Sequence, residues 1–355
     1  TASGRADDPR RHLRPCYRLP MQRSRIRIGV GQVSSIDPET TAWARQLGVT
    51  TFQMNTPQIP GDDGVWHEAD LRRLRDAVEA EGLVLEALEN VPVAFYDKVM
   101  LGKPGWEDQL ERYCTTIRNM GRAGIGILGH HFMPTFVWRT DLDAPGRGGA
   151  GVTAFDADLV HLGNKVVYPQ APPTERATLD EMRRNYGRFL DATLPVAEAA
   201  GVRLALHPDD PPVPSIGGVA RLFTSPADLA WAMERSGGSP AWGMDLCLGT
   251  VSEMEGGPEA VRQAIDLLGP SGRIFYVHLR QVKGTVPRFE ECFIGEGSYD
   301  AAAVIRQLIA VGFDGFLLDD HVPHMTGDSP YGHRARAHAI GYMQGLLAAI
   351  EGEDR

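Results

Sequence analysis

The sequence predicts a single-domain α/β protein of the (β/α)8, or TIM, barrel class, with long loops following some of its strands. Three observations point there. Eight short apolar, β-branched runs alternate with longer amphipathic segments. The phrases EGLVLEAL, AGIGILG, AGVRLAL and VGFDGFLL share one grammar, a helix stopped by glycine and then a buried strand. No Gly-x-Gly-x-x-Gly motif sits on the first strand-to-helix turn, which disfavours a doubly wound open sheet. The chain has 355 residues, and barrels of about 250 residues and more fold as one unit.

In chain order the expected strands are Ile26–Val30, Thr51–Met54, Val84–Leu88, Ile125–Leu128, Arg203–His207, Trp242–Leu246, Ile274–His278 and Gly315–Leu318. Helical patterns fall between them. Asp37 is a natural N-cap for Pro38–Leu47, with proline at the first helical position. Glu68–Glu81 places Leu71, Leu74 and Val78 on one face before Gly82. Trp106–Ala123 and Leu179–Ala200 likewise end at glycines, and Ser225–Glu234, Glu259–Leu268 and Tyr299–Val311 complete the series. Two long loops, Met133–Pro173 and His321–His333, break the rhythm and read as lids or disordered segments. Residues 1–20, rich in arginine and without apolar periodicity, read as a disordered leader or extension, with the barrel domain spanning 21–355.

Hydrophobic residues make up 43% of the chain, enough for a large core, and 40 Gly with 25 Pro supply many turns. A net charge of -10 argues against a nucleic-acid partner. It leaves an anionic substrate possible, because a metal or local arginines can reverse the field inside a cleft. The 4 cysteines, Cys16, Cys114, Cys247 and Cys292, are scattered without disulfide or zinc-finger spacing, so a cytoplasmic setting is expected. No apolar run reaches the roughly 20 residues of a membrane span.

Chemistry in a parallel barrel collects at the strand C-termini. Four consecutive late strands end in residues able to bind a metal: His207 closes LALH, Cys247 follows WGMDL, His278 closes IFYVH, and Asp319 and Asp320 follow GFLL. Alone, each reads as structural. Together at one mouth, imidazole, thiolate and carboxylate suit a borderline first-row divalent ion. In HPDDPP, Asp209 and Asp210 either cap the loop backbone or support His207.

These segments also carry a resemblance. His207-Pro-Asp-Asp-Pro-Pro, Gly217 with Arg221, Leu246-Cys247-Leu248-Gly249, Val277-His278-Leu279-Arg280 and Asp320-His321 resemble the mannonate dehydratase family, a branch of the xylose-isomerase-like barrels. Phe132-Met133-Pro134, Trp138, Thr140 and the helical stretch YCTTIRN extend the likeness over most of the chain from Met21. The resemblance implies metal-dependent dehydration of D-mannonate to 2-keto-3-deoxy-D-gluconate. It implies one divalent ion, Mn2+ or alternatively Fe2+, Co2+ or Zn2+, on His207, Cys247, His278 and Asp320. It also implies His321 and Tyr331 as the acid/base pair, and a homo-oligomer, dimer or larger. His130, His131, Arg139, Asp209 and Arg280 are the candidate substrate contacts, with His324 a further candidate at the lid. The chain departs from the family pattern at His130-His131, at Trp138-Arg139-Thr140, at Leu318-Asp319 and at Cys292-Phe293. The expected metal set is therefore intact while the substrate wall is altered. A sugar isomerase or epimerase on the same scaffold is the alternative, but such barrels use mostly carboxylate ligands, and Cys247 with His207 favours the dehydratase. A non-catalytic sugar-acid or metal-binding barrel is the third reading.

Overall fold

The computed structural model describes residues 26–61, 63–166 and 176–353. The expected leader and the domain start near Met21 lie outside the described residues, as does Cys16. Eight parallel strands close into a barrel: β1 (Arg27–Val33), β2 (Thr51–Asn55), β3 (Val84–Glu89), β4 (Ile127–His130), β5 (Arg203–Leu206), β6 (Trp242–Cys247), β7 (Ile274–His278) and β8 (Phe316–Leu318). Each strand pairs with its sequence neighbours, and β8 pairs with β1 through Arg27 opposite Phe316. All eight expected strands form, with ends shifted by up to three residues.

Seven expected helices surround the barrel: α1 (Pro38–Gln46), α2 (Glu68–Ala80), α3 (Trp106–Ala123), α4 (Leu179–Ala200), α5 (Pro226–Arg235), α6 (Pro258–Leu268) and α7 (Ala301–Ala310). Their ends follow local chemistry. The Asp37 carboxylate accepts from the backbone N–H groups of Glu39 and Thr40, and Thr178 forms a reciprocal capping box with Glu181. Gly124 and Gly201 close α3 and α4 in the left-handed conformation, where a side chain would be strained. An eighth helix, α8 (His333–Glu353), completes the ring. The main core lies between strands and helices. A smaller cluster of Ala87, Ile127, Ala205, Phe275, Tyr276, Phe316 and Leu318 is drawn wholly from barrel strands.

The expected loop Met133–Pro173 is in part a folded structure, and this corrects the sequence reading. Its segments Asp141–Pro145 and Gly151–Asp156 join Arg288–Glu291 and Val282–Thr285, which follow β7, in a four-stranded antiparallel sheet. The segment 167–175 lies outside the described residues. Among the described residues, no helix is long and apolar enough to cross a membrane.

Candidate metal centre and active site

The barrel register assembles the four expected ligands. Cys247 on β6 lies directly opposite His278 on β7, and His278 lies opposite Leu318 on β8, two residues before Asp320. His207 follows Leu206, which pairs with Met244 on β6. Two imidazole nitrogens, a sulfur and a carboxylate oxygen, all buried, lie within 4.8 Å of one another. That spread matches one shell around an ion whose bonds are about 2.0–2.3 Å long. Asp320 adopts φ 57°, a left-handed conformation rare for a non-glycine residue and typical of positions held under strain for function.

The surroundings tune each ligand. His207 donates from Nδ1 to the Pro208 carbonyl at 2.7 Å, leaving Nε2 with its lone pair. His278 turns Nδ1 toward Asp320 at 3.6 Å, and its Nε2 faces Glu89 at 3.4 Å and Asp245 at 3.5 Å. Burial alone would push the Cys247 thiol up, but Arg280 and the two imidazoles outweigh it and hold the sulfur well below the ordinary thiol range. Burial likewise opposes charge on His207, yet Cys247 and Asp245 raise its pKa to about 10. A cation bound by these groups would displace the protons they carry.

A cavity of about 320 Å³ opens above the ligands, bordered by His207, Asp320, His321 and Tyr331 among others. His321 donates from Nδ1 to Glu291 at 2.9 Å, and its Nε2 lies 3.5 Å from Asp320. Burial works against its charged form, but Asp320 and Glu291 prevail and raise its pKa. The Tyr331 hydroxyl donates to the Gly31 carbonyl at 2.7 Å, with its ring beneath the Arg336 guanidinium. Burial raises the Tyr331 pKa, keeping it a neutral phenol.

The five candidate substrate contacts divide. His131 and Arg139 line the cavity, as does His324. His130, Asp209 and Arg280 do not, which corrects the expectation for them. The His130 ring packs on Tyr186 and Phe189 of α4, and burial lowers its pKa to about 3. Asp209 caps the loop backbone, accepting from the N–H groups of Leu222 and Phe223. Arg280 sits behind the ligands, donating to Cys247 Sγ at 3.4 Å, Asp210 at 3.1 Å and Glu291 at 2.7 Å. Arg139 reaches the cavity already paired, with a two-pronged contact to Asp210 at 2.5 and 2.9 Å and another to Glu291 at 3.1 Å.

Sequence reasoning missed Glu89, Asn90, Asp245, Glu291 and Arg336 as parts of this site, and left Asp210 between loop capping and support of His207. Glu89 and Asn90 end β3, so the strand-end rule applied to the late strands would have found them. Arg336 comes from the unread α8, lines the cavity and donates to Asp319 at 2.7 Å.

The D-mannonate dehydratase (UxuA) family model matches residues 31–355. The chain belongs to that family. It is 30% identical over 313 residues to mannonate dehydratase 2 of Halalkalibacterium halodurans, covering 81% of this chain and 88% of that protein. It is 30% identical to the mannonate dehydratase of Chromohalobacter salexigens, covering 87% and 93% of the two chains. Among solved structures, the mannonate dehydratase of Streptococcus suis serotype 2 superposes with TM-score 0.79 at 27% identity, covering 92% of this chain and 93% of that one. An L-ribulose 3-epimerase superposes with TM-score 0.57 at 18% identity over 92% and 96% of the two chains, a likeness of fold alone.

Proposed function

We propose that this member of the D-mannonate dehydratase family is a hydro-lyase that removes water from a sugar acid, D-mannonate first, to give 2-keto-3-deoxy-D-gluconate. The observation that carries the reading is the buried His207–Cys247–His278–Asp320 set, of which His207 and Asp320 border a cavity also lined by His321 and Tyr331. Those four residues would hold one divalent ion, Mn2+ first, though their donor set also accepts Fe2+, Co2+ or Zn2+. Bound there, the ion would supply positive charge beside the substrate carboxylate, lowering the cost of the negative charge that develops when the C2 proton leaves.

The chain's own residues handle the protons. One group takes the proton from C2, and one gives a proton to the C3 hydroxyl as its C–O bond breaks. His321 and Tyr331 are assigned these two tasks. Glu291 fixes the His321 ring through Nδ1, so that Nε2, beside Asp320, is the nitrogen assigned to proton transfer. Arg139 and Arg280 are assigned as positioning residues, since their guanidinium groups are engaged by Asp210 and Glu291. The protein is proposed to act as a homo-oligomer in the cytoplasm.

The test is a panel of six-carbon sugar acids and neutral ketoses offered to the Mn2+-loaded protein. The reading predicts a 2-keto-3-deoxy acid from D-mannonate. Turnover of neutral ketoses alone would replace it with the epimerase alternative. Solvent deuterium exchange at C2 then divides the pair: the variant, His321→Gln or Tyr331→Phe, that still exchanges C2 without releasing product has lost the acid.

A further inference from the structure

We propose that Asn90 and His131 form a subsite that reads one hydroxyl on the polyol tail of the substrate, an inference that rests on the sugar-acid reading above. Both residues line the cavity shared with His207 and Asp320. Among the described residues that line it, two buried side-chain atoms lack any hydrogen-bond partner, and these are Asn90 Oδ1 and His131 Nε2. Asn90 is 7% exposed and His131 2%. Buried polar atoms are normally satisfied, so an acceptor and a donor left open in one cavity wall imply a ligand that completes them.

The two positions follow neighbouring strands of the barrel. Asn90 follows β3 and His131 follows β4, which are neighbours in the barrel, and the Asn90 N–H donates to the Gly129 carbonyl at 2.9 Å. The His131 tautomer is also settled. The Met133 backbone N–H donates to Nδ1 at 3.2 Å, so Nδ1 carries the lone pair and Nε2 the hydrogen. Burial and the neighbouring imidazoles keep that ring uncharged. Phe136 holds it edge-on at 4.9 Å between ring centroids, and the Tyr96 hydroxyl anchors its backbone carbonyl. Asn90 stands at φ 61°, a left-handed conformation that asparagine tolerates better than most residues.

The chemistry of the gap selects the ligand. A carboxylate can satisfy only the donor, and an ammonium only the acceptor. A hydroxyl satisfies both, donating to Asn90 Oδ1 and accepting from His131 Nε2–H. C2 and C3 belong to the reacting end of the molecule, so the group read here is on C4, C5 or C6. A site built around a hydroxyl rejects the analogue lacking it, because its own buried groups are then unpaired.

The experiment is calorimetric titration of the full Mn2+-loaded chain with D-mannonate and its 4-, 5- and 6-deoxy analogues. One analogue is expected to bind at least about tenfold more weakly than D-mannonate. His131→Phe keeps the ring shape without the donor, and Asn90→Gly removes the amide while accepting the backbone conformation. Each is expected to bind D-mannonate about tenfold more weakly and to lose the discrimination against that same analogue. Equal binding of all three analogues by the unaltered protein overturns the proposal whether or not the variants fold. So do variants that hold Mn2+ and discriminate as the unaltered protein does, and so does failure of D-mannonate to bind. Discriminating binding without turnover removes the dehydration reading and leaves the subsite; turnover with flat discrimination does the reverse.

Discussion

His278, a proposed ligand, meets the other three candidate ligands on one side and two carboxylates on the other. With Nδ1 turned to Asp320, its Nε2 meets Glu89 and Asp245, and both Asp245 oxygens are buried without a hydrogen-bond partner. A carboxylate behind a ligating imidazole fixes its orientation and raises its basicity, and losing such a partner lowers metal affinity by about tenfold to a hundredfold. Asp245→Asn is therefore expected to weaken Mn2+ binding by about tenfold in a chelator competition; unchanged affinity would show that the carboxylate does not steer the ring. The cysteines give a second expectation. Burial pushes the Cys114 thiol up to about 11 and the Cys292 thiol up to about 12. The reactive thiolate appears only as pH rises toward those values, so at pH 8 both thiols stay protonated. Peptide mapping after iodoacetamide treatment of the folded protein at pH 8 should find both unmodified. That His207, Cys247, His278 and Asp320 would meet at one mouth was legible in the sequence, because each stands at a strand end and the barrel closes over them. Which polar neighbours face the cavity was not legible, since Asp209 and Asp210 are adjacent yet only Asp210 reaches it.

At the scale of elements, the antiparallel sheet beyond the barrel delivers Glu291 to a position between Arg139, Arg280 and His321. One carboxylate thereby ties two buried cations and orients the proposed proton-transfer histidine. Removing one partner of a buried ion pair costs about 3–5 kcal/mol. Glu291→Gln should lower the melting temperature and depress kcat more than it raises KM, because the His321 ring loses the negative charge of its Nδ1 partner. A variant with normal kcat would detach Glu291 from the chemistry. This sheet escaped the sequence reading for a physical reason. Its strands are short, carry Asp, Glu and Gly, and pair across more than 130 residues, as Arg288 does with Asp156, so no local periodicity announces them. Helix α8 escaped differently: its buried Ala335, Ala339, Ile340, Met343, Leu347 and Ile350 face the core, but Ala337, Gly341, Gly345 and Ala348 on other faces blur the contrast. The seven expected helices declared themselves through caps and glycine stops.

The barrel is a closed ring whose last four strands each bring one of the four candidate ligands to its mouth, so the set is assembled only when the barrel is shut. Four of the five non-glycine residues with left-handed backbone among the described residues, Gln32, Asn90, Phe136 and Asp320, border the same cavity. Strain of about 1–3 kcal/mol at such a position persists only where the surrounding fold holds it. A cation on the four ligands binds the folded barrel alone and stabilises it by mass action. Chelation should therefore lower the melting temperature, and added Mn2+ should restore it; a transition indifferent to both would separate the centre from the fold. The most direct test of the account is the metal content of the purified protein after equilibration with Mn2+ at neutral pH, compared between Cys247→Ala and Cys114→Ala. The account predicts about one divalent ion per chain in the unaltered protein and in Cys114→Ala, and much weaker retention in Cys247→Ala. An empty site in the unaltered protein, or equal retention in the two variants, would contradict it.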